Sequence, residues 1–410
     1  MHALIDTLES PSREAIFSFA LAFEEYTIET RRALHEIPEL GWEEEKTLAM
    51  ILKKIQKAAK NSVYVINIMQ KEGGIWVDLL VDPSLPHLLF RSDIDALPIE
   101  EETNLPFSSK HPGKMHACGH DCHAAILLTA FTILAKNLLT PRANIRFVWQ
   151  RAEEYNLCRS GGEKLLEEGV VEGIDHAYGL HINPTTSIGT FFSKPGRMMA
   201  NSAQINCTIE CSGGHVMYPD RGSNAIYIMI DIQNSLRGLE GIYFKPTEPI
   251  VFVPSIAQAG VASNVRPNRA ELTFALRNFL PEEERDHFVS IIKEKIHAIT
   301  ATYPTALVSR FSFIPGYPSL TTNPENFYFV QDLLMKNGLV ASETSPLFCG
   351  EDFAYYLQKV PGSFWCFGTK QEGETYDLHT SKCNPNEKAL KLGVFFWLLL
   401  SQNLPPKHAQ

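Results

Sequence analysis

The chain has 410 residues and a formal net charge of -10; 44% of its residues are hydrophobic and 20% are charged. One hydrophobic core rarely extends over so long a chain, so we expect two domains. The acidic balance argues against nucleic acid and anionic membranes as partners. The longest apolar run, Val394–Leu400, is too short to span a bilayer.

The N-terminal residues and the cysteines bear on the compartment in which the protein works. Residues 1–17 lack the basic start and the apolar core of a secretory signal peptide. We therefore expect a cytoplasmic protein in a reducing environment. Most of its 8 cysteines are then free thiols rather than disulfides.

The first half of the chain alternates strand-like and helix-like segments. The predicted order is strand 86–94, helix 121–139, strand 144–150, helix 161–171 and strand 176–182. Such alternation is typical of an α/β domain in which helices cover a mixed or mainly parallel sheet.

The pattern changes near residue 200. The predicted elements are strand 202–211, helix 223–238, strands 250–258 and 269–278, helix 281–302 and strand 306–313. The order β-α-β-β-α-β is that of a ferredoxin-like α+β domain. We expect residues 199–314 to form this domain as an insertion. The larger catalytic domain then comprises residues 1–198 and 315–410, with a short strand at 364–369 and a closing helix at 386–403.

Polar residues with metal-binding chemistry follow the predicted strands of the larger domain. Asp93 and Asp95 end the first strand, and in an open α/β sheet ligands bind at the carboxyl ends of strands. A solvated turn is the alternative for these acids. Residues 116–123 (HACGHDCH) contain histidine, cysteine and aspartate, which are preferred ligands of zinc and related metals. A redox pair of Cys118 and Cys122 is a weaker alternative, because the spacing is not that of a thioredoxin-type pair.

Further candidates are weak one by one. Glu153 and Glu154 follow a strand, and paired carboxylates suit a metal ligand beside a general base. A surface acidic pair is the alternative. His181 and His379 are isolated histidines, each as compatible with a structural role as with metal binding. His215 follows a glycine pair in the inserted domain, where it is either displayed toward a substrate or part of an ordinary turn.

At these residues the chain resembles the aminoacylase and carboxypeptidase superfamily of co-catalytic metallohydrolases. The similar branch contains N-acyl-amino-acid amidohydrolases, hippurate hydrolases and auxin-conjugate hydrolases. The resemblance covers nearly the whole chain and rests on several segments in order. They are RALHEIPELG (32–41), DIDALPIEEETNLPF (93–107), MHACGHDCH (115–123), QRAEE (150–154), GLHINP (179–184), GGHVMYP (213–219), ASNVRP (262–267), GEDFAYYLQKVPGSF (350–364) and LHTSKCNPNEKAL (378–390).

The resemblance implies a phosphorylase/hydrolase-like fold of the co-catalytic metallopeptidase type. It also implies two divalent metal ions, which this mixed donor set allows to be zinc, manganese, cobalt or nickel. Transferred position by position, the metal ligands are Cys118, His120, Glu154, His181 and His379. Glu153 is the general base that acts with a metal-activated water, and Asp95 is the acid that orients the site.

The resemblance gives the inserted domain a role in substrate binding and in dimer formation. His215 matches a histidine that stabilises the tetrahedral oxyanion, and Asn264 and Arg277 match positions on the substrate-binding face. A substrate carboxylate needs a cationic partner, for which Arg277 and Arg266 are the two candidates. In many relatives this domain also forms a homodimer, so the histidine serves either its own site or the partner's.

The expected reaction is hydrolysis of the amide bond of an N-acyl amino acid, such as a hippurate-like or N-acetyl compound. A dipeptidase or an acyl-diaminopimelate deacylase of the same fold is the alternative among hydrolases. A non-catalytic binding protein should lack the base or several ligands, and a thiol-redox or metal-storage protein would leave Glu153 and His379 unexplained.

The chain departs from the usual pattern of its relatives at positions that line the site. Arg151 stands where proline is usual, Asp220 where histidine is usual, and Arg266 where an apolar residue is common. The usual glycine-rich run after Glu154 is replaced by residues 155–160 (YNLCRS). None of these changes removes a proposed ligand or the base, so they bear on substrate preference.

Overall fold

The structure is a computed structural model that describes residues 11–155 and 159–405. Two expectations fall partly outside the described residues. They are the expected lack of a signal peptide, for residues 1–10, and the departure from the relatives' glycine-rich run, for residues 156–158. The chain divides into two compact units. The larger unit comprises the chain up to Met198, Leu320–Ser345 and the chain from Asp352 onward, and the smaller comprises Met199–Ser319 and Pro346–Glu351.

Both units contain strands and helices. The strands are β1 (Val65–Lys71), β2 (Gly74–Leu80), β3 (His87–Asp93), β4 (Asn144–Gln150), β5 (His176–Asn183), β6 (Thr190–Ser193), β7 (Gly196–Met199), β8 (Asn201–Glu210), β9 (Gly214–His215), β10 (Ile250–Ala259), β11 (Val265–Arg266), β12 (Arg269–Asn278), β13 (Leu307–Pro315), β14 (Leu320–Thr322), β15 (Val340–Glu343) and β16 (Gly362–Gly368).

The helices are α1 (Arg13–Ala22), α2 (Glu24–His35), α3 (Glu45–Ala59), α4 (His120–Ala135), α5 (Gly161–Glu167), α6 (Ala225–Leu236), α7 (Glu240–Tyr243), α8 (Glu282–Ala301), α9 (Pro324–Lys336), α10 (Ala354–Leu357) and α11 (Leu390–Gln402), with a 3-10 turn at Glu387–Ala389. No helix in the described parts of the chain is both long enough and apolar enough to cross a membrane.

The larger unit is built on a mixed sheet, which confirms the α/β fold predicted from the sequence. Among the described residues, 8 strands lie in the order β1-β2-β4-β3-β5-β16-β6-β15. The neighbours β4, β3, β5 and β16 run parallel, so their carboxyl ends share one edge of the sheet. The β1–β2 hairpin, which the sequence pattern did not identify, extends the sheet through antiparallel pairing with β4.

The core of the larger unit is organised around α4. Each of its residues is buried, because the segment is apolar on all sides and packs against β3 on one side and α2, α3 and α11 on others. The closing helix α11 adds aromatic contacts, with the Trp397 ring stacked on Phe90 of β3 at 4.7 Å between centroids. The beginning of α4, which carries His120, is therefore fixed from several directions.

The smaller unit has the ferredoxin-like order predicted from the sequence. Within the described residues its main sheet has 4 antiparallel strands in the order β10-β12-β8-β13. Helices α6 and α8 pack on each other and on this sheet, and bury a core that includes Ile228, Phe274 and Phe288.

The smaller unit extends beyond the predicted domain, which ended at residue 314. The chain after β13 stays bound to it, because Gly316 N–H donates to the Ser202 carbonyl at 2.8 Å. Residues 346–351 also join it, and Ala200 N–H donates to the Leu347 carbonyl at 2.9 Å.

Candidate metal centre

The polar residues singled out in the larger unit come from several segments at the carboxyl edge of the parallel strands. Asp95 follows β3, Cys118 and His120 lie at the start of α4, Glu153 and Glu154 follow β4, His181 lies in β5, and His379 lies in the loop after β16. The structure brings these sequence-distant residues into one cluster.

Gly119 allows the loop carrying Cys118 to lie directly against β5. Its φ of 86° lies in the left-handed region that favours glycine. A Cβ at this position would come 2.2 Å from the Ile182 side chain. This close approach places Cys118 beside His181, the residue that precedes Ile182 in β5.

The Cys118 sulfur lies at the middle of the cluster. Cys118 Sγ is 3.5 Å from His181 Nε2 and 3.4 Å from His379 Nε2. His379 Nε2 is in turn 3.1 Å from Glu154 Oε1. Cys118 thus belongs to two groups of potential ligands, one with His120 and His181 and one with Glu154 and His379; within each, the donor atoms lie within 4.8 Å of one another.

His120 presents a bare nitrogen to the cluster. Its Nε2 is buried and has no hydrogen-bond partner among the residues described by the structure. The same atom lies 3.9 Å from Glu153 Oε2 and 4.0 Å from Glu154 Oε1. A buried imidazole nitrogen without a partner is costly unless it binds something, and a cation between these donors would satisfy it.

Asp95 contacts two of the proposed ligands at once. Its Oδ1 is 3.1 Å from His120 Nδ1, so Nδ1 donates a proton to this carboxylate and Nε2 is the nitrogen that would bind a metal. Its Oδ2 accepts the backbone N–H of Glu154 at 2.9 Å. An acid with these two contacts can fix the orientation of His120 and the backbone of Glu154, and the resemblance predicts such a role for Asp95.

A second buried carboxylate acts on the far side of the cluster. Ile182 N–H donates to His123 Nε2 at 2.9 Å, so His123 carries its proton on Nδ1 and donates it to Asp93 Oδ1 at 2.6 Å. Arg91 Nη1 holds the other oxygen of Asp93 at 2.6 Å. His181 Nδ1 donates to the Ile182 carbonyl at 2.7 Å, which leaves its Nε2 facing Cys118.

The sequence named Asp93 as a candidate but assigned no role to it or to His123. Both lie within its motifs, but the sequence pattern does not distinguish a residue that binds metal from one that supports a ligand. Their hydrogen bonds to each other and to the strand carrying His181 give them a supporting role.

The first turn of α4 is anchored by a buried ionic network that sequence reasoning also missed. Asp121 Oδ2 accepts Arg31 Nε at 2.7 Å and lies 2.8 Å from His35 Nδ1, with all three side chains fully buried. Burial opposes ionisation of Asp121, but Arg31 and His35 outweigh it and hold its pKa far below the usual range. His35 lies in the motif at 32–41 and Arg31 directly precedes it, so this motif was the sequence feature that pointed to the network.

The electrostatics of the cluster favour a cation. Burial raises the pKa of the Cys118 thiol well above its ordinary value, and the carboxylates of Glu154 and Glu153 raise it further. Burial lowers the pKa of His181 well below its ordinary value, which keeps this imidazole neutral and able to act as a ligand. The thiolate needed for metal binding therefore forms only with a positive charge beside it.

The pKa of His120 is shifted in the opposite direction from that of His181. Burial disfavours its charged form, but the carboxylates of Asp93 and Asp95 outweigh burial and raise the pKa of His120 to about 10. A proton on this ring balances the surrounding negative charge, and a bound divalent ion would replace it. The thiolate, imidazole and carboxylate donors fit a pair of borderline transition-metal ions.

The small-unit candidates lie around a two-stranded ribbon. His215 in β9 pairs with Val265 in β11, and Val216 N–H donates to the Asn264 carbonyl at 3.3 Å. His215 is exposed. The ribbon thus brings His215 and Asn264 close together within this unit.

The two arginine candidates differ in their surroundings. Arg266 is buried, and its Nη1 and Nη2 donate to four loop carbonyls, those of Pro219, Gly222, Gly213 and Arg221. Its guanidinium holds the loop that carries His215. Arg277 in β12 is half-buried, and its guanidinium has no hydrogen-bond or ion-pair partner within residues 11–155 and 159–405. Burial lowers the pKa of Arg277, and the nearby Cys349 thiol opposes this shift.

Replacing the central sulfur tests the cluster as a metal site. Cys118→Ser should weaken metal binding by at least about tenfold, because a hydroxyl is a much poorer ligand than a thiolate. Chelator competition on purified protein measures the affinity. Cys207→Ser, at a buried thiol of the smaller unit, is the control and should leave affinity unchanged. Equal affinity in the Cys118 variant would remove this sulfur from the ligand set.

The sequence matches the profile of peptidase family M20/M25/M40 over residues 89–403. It is 30% identical over 406 residues to thermostable carboxypeptidase 1 of Saccharolobus solfataricus, covering 97% of this chain and 98% of that protein. It is 33% identical over 375 residues to an N-acetyl-L-cysteine deacetylase of Bacillus subtilis, covering 91% of this chain and 86% of that one.

Further similarity extends to another deacetylase and to a solved structure. An N-acetyldiaminopimelate deacetylase of Lactobacillus helveticus is 32% identical over 92% of this chain and 96% of its own. The crystal structure of a Bacillus subtilis protein, described as a dinuclear metal-binding peptidase of the M20 family, superposes with a TM-score of 0.77 at 29% identity. The superposition covers 93% of this chain and 98% of that chain.

Proposed function

The chain belongs to peptidase family M20/M25/M40, and we propose that within this family it is an amidohydrolase that cleaves N-acyl amino acids to a carboxylic acid and an amino acid. Membership of this family makes the protein a metal-dependent hydrolase of amide or peptide bonds. The observation that supports the proposal most strongly is the buried cluster around Cys118, with the Glu153 carboxylate beside it.

We propose that Cys118, His120, Glu154, His181 and His379 hold two divalent ions. Bound there, the ions would lower the pKa of water and polarise the scissile carbonyl. The unpartnered Nε2 of His120 and the central position of the Cys118 sulfur support this assignment.

Glu153 is the proposed general base. Its carboxylate faces the donors, with Oε2 3.9 Å from His120 Nε2, and its neighbour Glu154 is held by Asp95. Glu153 takes one proton from the attacking water as the C–O bond forms. It then delivers that proton to the amide nitrogen as the C–N bond breaks, so that the amine leaves neutral.

The smaller unit supplies the proposed substrate-binding groups. Arg277 pairs with the substrate carboxylate, because a half-buried guanidinium without a partner is a ready site for an anion. Asn264 contributes to the same face, and His215 donates a hydrogen bond to the developing oxyanion. Since the Arg266 guanidinium already binds loop carbonyls, its part is to hold the loop of His215.

The activities named for the relatives support acylated amino acids as the substrate class. Those named above include deacetylases of N-acetylcysteine and N-acetyldiaminopimelate and a carboxypeptidase. We propose N-acetyl and benzoyl (hippurate-like) amino acids as the first class to test. The carboxypeptidase relative makes a peptide with a free C-terminal carboxylate the second class, which shares the acyl-NH-CHR-COO⁻ unit.

The reaction is tested on a panel of N-acetyl amino acids, N-benzoyl amino acids and dipeptides, with amine release measured on chelated protein before and after adding Zn²⁺, Mn²⁺ or Co²⁺. We expect metal-restored release. Glu153→Gln should abolish almost all turnover and keep the metal, since the amide cannot accept the proton. Glu25→Gln, at an exposed helix acid, is the control. Substantial turnover by the Glu153 variant would remove the base assignment, and no release from any compound would contradict the amidohydrolase.

The two substrate-binding roles predict different kinetic effects. Arg277→Met should raise KM by about tenfold or more and change kcat little, because the carboxylate contact exists before and during reaction. His215→Ala should mainly lower kcat, since an oxyanion contact forms in the transition state. Arg310→Met, at an exposed arginine of the same unit, is the control for charge removal. An unchanged KM in the Arg277→Met enzyme would exclude the carboxylate role.

We also propose a homodimer formed through the smaller unit. Among the described strands of that sheet, β10 pairs with β12 alone, which leaves its other edge open. This edge strand carries the exposed Val253 and Ile256, each 46% accessible. An open apolar edge is a surface for strand pairing with a second copy.

The dimer is tested by sedimentation velocity. The wild-type chain should sediment as a dimer, and Ile256→Lys should shift it toward the monomer, because a buried unpaired lysine is costly at an interface. Val261→Lys, in the loop after the strand and 98% accessible, is the control. A monomeric wild-type protein at micromolar concentration would rule out this assembly.

A further inference from the structure

We propose that Arg151, acting through Glu44, is a positioning residue that fixes Glu153 in the orientation needed for catalysis. The inference rests on the proposed role of Glu153 as general base. It concerns the short turn between the end of β4 and the two glutamates, here called the 151–154 turn. The shape of this turn decides where the carboxylate of Glu153 points.

The 151–154 turn contains a strained residue. Ala152 has a φ of 50°, in the left-handed region that alanine seldom adopts. The conformation redirects the chain immediately before Glu153. Because it is intrinsically unfavourable, surrounding contacts must hold it in place.

Glu44 provides two of these contacts with one carboxylate. The side chain is fully buried, and its Oε1 accepts the Ala152 backbone N–H at 2.7 Å. Its Oε2 accepts Arg151 Nε–H at 2.8 Å. A single buried carboxylate therefore binds consecutive residues of the turn.

Arg151 supplies the charge that this arrangement requires. A buried carboxylate without a cationic partner is strongly disfavoured. The Arg151 guanidinium also donates from Nη2 to the Trp42 carbonyl at 2.7 Å and to Glu45 Oε1 at 3.0 Å. Its side chain thus bridges the turn to the segment that leads into α3, and that segment holds Glu44.

The Arg151 backbone contributes separately. Its N–H donates to the Gly73 carbonyl at 3.0 Å, which continues the pairing of β4 with β2 into the turn. Proline at this position, expected from the resemblance, would lack this donor. The chain therefore holds the turn with an ion pair and a sheet hydrogen bond where a proline ring would restrict it covalently.

Two buried carboxylates fix the backbone on both sides of Glu153. Glu44 binds the N–H of Ala152, and Asp95 binds the N–H of Glu154 at 2.9 Å. Glu153 lies between these two anchored amides. If the contact with Glu44 is weakened, the backbone of Glu154 is still held by Asp95, whereas the backbone before Glu153 loses its hydrogen bond. The position of the proposed base should therefore change more than that of the proposed metal ligand.

The experiment compares Arg151→Met with wild type at equal metal loading. We expect kcat on the best panel substrate to fall by about tenfold or more, with KM and metal affinity changed by less than about twofold, because misplacing a catalytic group costs turnover. Arg151→Lys keeps the charge and should recover part of the loss. Arg146→Met is the matched control. Arg146 lies in β4, before the turn, and its Nε donates to Asp78 Oδ1 at 2.6 Å, so its ion pair does not involve the turn.

Hydrogen exchange on metal-free protein gives a readout independent of activity. Amides of the segment 150–155 should exchange faster in Arg151→Met and remain as protected as wild type in Arg146→Met. Glu44→Gln is the second variant, which keeps the shape and removes the charge, and it should shift exchange and kcat in the same direction. If the Arg151→Met variant does not fold, Glu44→Gln decides the outcome.

The outcomes separate this inference from the proposed function. Unchanged kcat per folded enzyme together with unchanged exchange would overturn the positioning role, as would a loss of stability alone. A fall in metal affinity matching the fall in kcat would also overturn it, because the turn would then support the ligand. If the wild-type protein hydrolyses no compound of the panel, the proposed amidohydrolase function is contradicted. Faster amide hydrogen exchange in Arg151→Met would still show that Arg151 holds the 151–154 turn.

Discussion

The two hydrogen bonds of the Asp95 carboxylate are the constraint on which the geometry of the candidate metal centre depends. This carboxylate is almost fully buried, and its two oxygens bind His120 at the start of α4 and the backbone of Glu154 after β4. A charge placed so deeply is tolerated only when both oxygens are satisfied. The two segments therefore cannot move apart without exposing an unsatisfied carboxylate. This constraint sets the distance between the two proposed ligands.

Other buried charges around the cluster repeat this logic. Asp121 is held by Arg31 and His35, and Asp93 by Arg91 and His123. Such networks add little net stability when compared with apolar packing, but breaking one partner leaves a buried charge uncompensated. Their consequence here is positional. Each locks a backbone segment that carries a proposed ligand, so the donors are arranged before any ion arrives.

Two arginines of the smaller unit have different surroundings. Arg266 commits its guanidinium to the carbonyls of the loop before it, which orders the ribbon that displays His215. Arg277 lies in β12 of the main sheet, and its guanidinium has no hydrogen-bond or ion-pair partner among the described residues. The two arginines are therefore distinguished by burial and by carbonyl partners rather than by residue identity.

The sequence by itself determined the order of elements, the ferredoxin-like pattern after residue 200, and the residue types around Cys118 and Glu153, because periodicity and motif chemistry are local properties of a chain. It left out the β1–β2 hairpin, whose outer strand is largely exposed and lacks a strong pattern. Only the tertiary structure decided that Cys118 lies 3.4 Å from His379, 261 residues away, and that Arg151 binds Glu44. Packing of distant segments sets such distances, and no single segment encodes them.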